Sequence, residues 1–189
     1  MMKYCKILAG ILFLNHALGY PNSGFGSQSR DKEADSEFEQ NALAAHNKYR
    51  SRHDAPPMKL NAEMSASARA YAQKLARMGS LQHSRNGDGE NLAMSCGRAL
   101  TGKGATDMWY NEVCKPGYNF NYGRYTSGTG HFTQVVWAGS LELGVGRATT
   151  KRGRMTCTYV VGRYRKAGNM MSRFRENVKQ GGFSKSRHC

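Results

Sequence analysis

Two histidines and two glutamates carry the clearest chemical signal in this sequence. His83 and His131 sit in Gly- and Ser-rich segments, where backbones approach closely and side chains can converge. Glu90 follows His83 across a loop that holds Gly87 and Gly89. Glu112 lies beside Trp109 on a helical stretch. Imidazole nitrogens and carboxylate oxygens together suit a divalent ion such as zinc. The same four groups also suit a hydrogen-bonded acid–base cluster, and spacing leaves both open. His46 lies inside a helical pattern, His53 just past its end and His188 in the tail, positions that favour packing or surface roles.

Several elements must position these groups. Phe38, Ala42, Ala45 and Tyr49 recur at helical spacing and predict a helix over 38–52, with Ser36 and Glu39 as a capping box. Pro56 and Pro57 force an extended connection. Asn61 is the expected N-cap of a helix over 62–78. Met64, Ala68, Tyr71, Ala72 and Leu75 form its apolar side, and Gly79 closes it. Residues 83–91 read as a polar loop leading to a short apolar piece at 92–94, and 106–113 as a third helix. The Gly- and Tyr-rich stretch 115–130 reads as irregular. Phe132, Val135 and Val136 recur at helical spacing, although the valines also suit a strand. Two β stretches, 141–148 and 156–164, flank a basic turn and predict a hairpin. Helices before and between strands imply a mixed sheet with helices on its faces.

The 189 residues, 39% of them hydrophobic, fit one domain with a real core. Lys3 and Lys6, the apolar run 7–14 and the small residues Ala17 and Gly19 predict a signal peptide over 1–19. That run is too short to span a bilayer, and no longer one follows. The mature chain is therefore expected outside the cell, without a transmembrane segment. Residues 20–36 are rich in Gly, Ser, Asn and charge and read as a flexible lead-in. The formal net charge is +15; losing two lysines with the leader leaves +13. Such charge favours anionic membrane or glycan surfaces, and export argues against nucleic acid. Beyond the leader stand Cys96, Cys114, Cys157 and Cys189. An even count in an oxidising compartment predicts disulfides, with all three pairings open. No CxxC spacing points to a cysteine zinc site, and no N-x-S/T sequon occurs.

Longer motifs add a resemblance. GHFTQVVWAGS at 130–140 and YVVGRYRKAGNM at 159–170 resemble the two signatures of the CAP superfamily, the cysteine-rich secretory, antigen 5 and pathogenesis-related proteins. His83-Ser84, Gly89-Glu90-Asn91 and Trp109-Tyr110-Asn111-Glu112 match further landmarks in the family's order. The likeness covers 38–178. The runs 125–132 and 162–169 are most similar to the Golgi-associated pathogenesis-related subgroup, here with a signal peptide.

The resemblance implies a three-layer α/β/α sandwich with a central mixed, mainly antiparallel sheet. The domain would fill 37–178, followed by a basic tail at 179–189. It implies that His83, Glu90, Glu112 and His131 share a cleft. The two histidines would ligate one divalent metal, zinc first, with the glutamates balancing charge behind them. It also starts a helix at His131, with Gly130 turning the chain into the cleft and Phe132, Val135, Val136 and Trp137 anchoring it. Gly162 replaces the usual cysteine and Lys166 the usual proline, so the family's disulfide set does not transfer. The cysteine-rich extension of channel-blocking members is absent.

Tyr118, Phe120, Tyr122 and Tyr125 resemble the aromatic motif of sterol-binding family members, although an alternating aromatic pattern is also common in loops pinned to a sheet. Three basic clusters stand at 151–154, 163–166 and 173–175. Three functions compete: a secreted lipid- or sterol-binding protein of defence, reproduction or signalling; a metal-dependent hydrolase using the His/Glu cluster; and a basic matrix protein that binds polyanions. The aromatic loop favours the first, and no nucleophile sits in a triad pattern.

Overall fold

The structure, a computed structural model, describes residues 25–189, so the leader expected over 1–19 lies outside it. Helix α1, Phe25–Arg52, begins well before Ser36 and takes in most of the expected lead-in. The short strand β1, Lys59–Leu60, follows the prolines. Helix α2, Ala62–Met78, matches expectation at both ends. The Asn61 side chain accepts from the Met64 amide, and Gly79 at φ 74 takes the left-handed conformation that glycine tolerates. Strand β2, Gly89–Cys96, occupies what reads in sequence as loop plus apolar fragment. Helix α3, Gly102–Tyr110, runs into a 3₁₀ turn, Asn111–Val113. Helix α4, Gly130–Val136, starts at the signature, and Phe132 and Val135 are buried on it. Strands β3, Glu142–Arg152, and β4, Met155–Arg165, form the expected hairpin. Short helices α5, Phe174–Asn177, and α6, Lys185–His188, end the chain.

The four strands lie in the order β1-β3-β4-β2. Only β1 and β3 are parallel, so the sheet is mixed and mainly antiparallel. Alternation along β4 divides the core between the two faces. Cys157, Tyr159 and Val161 pack against Ala68, Ala72 and Leu75 of α2. Val160 joins α1, α3 and α4 through Phe38, Trp109 and Phe132. Each large side chain buried this way contributes about 1.5–3 kcal/mol. A Cβ on Gly144 would strike Met64, and one on Gly146 the Arg69 backbone, so glycine there seats α2 on β3. The result is the α/β/α sandwich that the resemblance implies.

Two buried polar groups fix α4 and the tail. Arg50 is fully buried and donates to the carbonyls of Pro56, Val135, Trp137 and Ser140 at 2.7–3.0 Å. Burial lowers its guanidinium only to about 10, so it stays charged and holds the end of α4. His53 stacks between Phe120 and Phe183, with its ring nitrogens against Lys179 O and Tyr110 Oη. The cysteines pair Cys96–Cys157 and Cys114–Cys189. The first joins directly opposed residues of β2 and β4. The second ties the chain end to the residue after the 3₁₀ turn, so the tail belongs to the packed unit.

Candidate functional site: a cleft of two imidazole–carboxylate pairs

Glu90 enters the site as the second residue of β2, and the hydrogen bonds around it build one wall. Its Oε1 accepts from His83 Nδ1 at 2.8 Å and from the Ser84 amide at 2.9 Å. Its Oε2 accepts from Ser84 Oγ at 2.6 Å and faces Arg163 Nη1 at 3.5 Å. Arg163 also donates to Ser84 Oγ and lies over the Tyr71 ring. It reads in sequence as part of a basic surface cluster, but it is only 3% exposed. The alternation of β4 turns it under α2, where it answers the buried Glu90 carboxylate.

Glu112 builds the opposite wall from the 3₁₀ turn. Its Oε1 accepts from His131 Nδ1 at 2.6 Å, while Oε2 accepts from the backbone amides of His131 and Phe132. One carboxylate thus caps the first turn of α4 and orients the imidazole carried there. Asn91 Nδ2 donates to His131 O and to Tyr164 Oη, and Tyr164 Oη meets the buried His46 Nε2 at 2.9 Å. A chain of hydrogen bonds therefore runs from the α1 core to the backbone of the site. Asn169, at φ 60, donates to Gly130 O and accepts from Thr133 Oγ. The turn into α4 uses Gly128, at φ 76; Gly130 has no positive φ and no close contact, contrary to the role expected of it.

His83, Glu90, Glu112 and His131 line one cleft of about 380 Å³ with Tyr125 and Asn169. A carboxylate oxygen accepts, so each imidazole places its proton on the Nδ1 that faces the glutamate, and the neutral ring then offers Nε2 as its lone pair. Glu90 accepts three hydrogen bonds and faces Arg163, and Glu112 accepts three, two of them from backbone amides. Among the described residues, no group of three or more His, Cys, Asp or Glu side chains is arranged to hold a metal. The chemistry of the donor set nevertheless fits a cation held by two Nε2 atoms and completed by water, with the carboxylates orienting the rings.

The aromatic quartet divides. Tyr118 and Phe120 pack against Phe132 and line a second cavity of about 400 Å³ with Val113, Pro116 and Phe183. Tyr125 joins the His/Glu cleft, and Tyr122 is 61% exposed beside Arg124. They form no single platform, because Phe120 is drawn inward by Phe183 and His53. The sequence gives no site role to Asn91 or Asn169, although both stand inside the quoted motifs, and it places Arg163 in a basic surface cluster, which hides its buried role.

The model of the cysteine-rich secretory protein family, CAP, matches residues 43–164. The human Golgi-associated plant pathogenesis-related protein 1 is 41% identical over 78% of this chain and 96% of its own length. The secreted protein RBT4 of Candida albicans is 38% identical over 79% of this chain, which spans 41% of that relative. The solved structure of NaASP2 with Zn2+ superposes with a TM-score of 0.56 at 26% identity, covering 82% of this chain and 91% of that one. With these motifs, this sandwich and this cleft, the chain belongs to the CAP family.

Proposed function

We propose that this chain is an extracellular binding protein whose cleft takes a divalent cation, zinc first, between His83 and His131. The carrying observation is the pairing of each Nδ1 with a glutamate, which leaves two oriented Nε2 atoms at one cleft. The zinc in the NaASP2 structure and the secreted relative RBT4 support the cation and the location. The engagement of Glu90 and Glu112 with imidazole, amide and hydroxyl donors favours ring-orienting roles over that of a general base. Isothermal titration with zinc tests this. Wild type should bind, and His83→Ala/His131→Ala should lose binding while keeping its circular dichroism. Absence of binding to the wild type, or full binding by the double variant, overturns the reading.

A second reading, an apolar ligand such as a sterol, rests on Tyr118. Tyr118 belongs to the lining of the second cavity, and its buried hydroxyl has no hydrogen-bond partner among the described residues. A ligand with one acceptor on an apolar body would complete it, and sterol binding by a Tyr118→Phe variant decides the matter.

A further inference from the structure

The end of the sheet remote from the His/Glu cleft gathers a cluster of cations. The turn between β3 and β4 carries Lys151, Arg152 and Arg154, all exposed. Gly97, just past β2, hydrogen-bonds to Thr156 O and approaches Met155 Sδ, so Arg98 leaves the sheet beside the same turn. The Arg152 guanidinium lies against Gly79, in the space where a side chain there would begin, which brings in Arg77 at the end of α2. Among the described residues, none of these five cations has a carboxylate partner. No Asp or Glu occurs in 64–87, 91–106 or 143–175, the segments that carry these five cations, while the acidic start of α1 is engaged through Asp35 and Glu39 with Arg69 and Arg147.

Apolar groups stand among these charges. Met78 is 43% exposed, Met94 37% and Met155 52%. Strand alternation puts Met94 and Met155 on the α2 side of the sheet, with Arg152 and the end of α2. Cations this close repel one another and are relieved by an anionic surface. A sulfated glycan would answer the charge and leave the methionines in water. An anionic bilayer answers both, with phosphates for the cations and an apolar layer for flexible thioether side chains.

We propose that the β3–β4 turn, with the ends of β2 and α2, is a docking surface for anionic lipid bilayers. It is separate from the cleft and owes nothing to the cation reading. Each cation near an anionic leaflet strengthens partitioning roughly five-fold. The test is flotation of the whole protein with phosphatidylcholine vesicles, with and without phosphatidylserine. Wild type should float only with phosphatidylserine. Lys151→Glu/Arg152→Glu/Arg154→Glu should lose roughly 100-fold or more in partitioning. Lys166→Glu/Arg173→Glu/Arg175→Glu, the same charge change elsewhere, should keep it within a few-fold. Met78→Ser/Met155→Ser should weaken flotation and leave heparin retention unchanged. Circular dichroism and thiol counts confirm that each variant folds. The proposal fails if wild type does not float, if both charge variants lose equally, or if the turn variant loses heparin retention alone.

Discussion

A buried hydroxyl without a partner costs about 1–3 kcal/mol, so Tyr118 pays for itself only if something meets it. Burial pushes its phenol up, which keeps the hydroxyl protonated and able to donate. Replacing Phe120 by a polar residue would be a poor probe, because that ring packs on Phe132 and Phe183. Tyr118→Phe removes the hydroxyl alone. The empty variant should gain about 1 kcal/mol in urea unfolding, while sterol affinity falls roughly ten-fold. Unchanged sterol binding together with lower stability would end the apolar-ligand reading. At this scale the sequence named the four cleft residues through ordered motifs. It could not name Arg163, whose role depends on a carboxylate brought across from another strand.

Helix α4 is only one turn longer than its cap, and the Glu112 carboxylate serves both that cap and the His131 ring. Glu112→Gln keeps an oxygen and nearly the same shape but removes the charge that suits a helix start. Stability should fall by about 1 kcal/mol, read by urea unfolding. Zinc affinity should fall about 10- to 100-fold, read by titration, because a neutral amide orients and polarises the ring less than a carboxylate does. A variant unchanged in both would separate Glu112 from the site. Elements differed in how legible they were for physical reasons. Asn61, Gly79 and an apolar stripe announced α2 at both ends. The start of α1 carries no such stripe; its exposed turns are held by Asp35 to Arg69 of α2 and Arg147 of β3, contacts that local sequence cannot show. Strand β2 was obscured because Glu90 and Asn91 are polar on a buried strand, and their partners lie in other elements.

For the whole molecule, acid sensitivity follows from two buried histidines, His46 on α1 and His53 just past its end. Burial lowers both His46 and His53 from 6.5 to about 4. Each stays neutral when folded, between partners that fix its ring. The unfolded chain binds a proton at each below 6.5 that the folded chain refuses. Their stabilising contribution is therefore complete above 6.5 and is lost as pH falls from there towards 4. By about pH 5 the loss should reach about 2 kcal/mol for each histidine. Self-repulsion from a net charge of +15 pushes the same way. Urea unfolding from about pH 7.5 to 5 measures it. His53→Gln should lower stability throughout and flatten the slope by roughly half, since one of two proton-refusing sites is gone. A wild-type curve flat over that range, or an unchanged slope in the variant, would show that these rings do not set the acid limit.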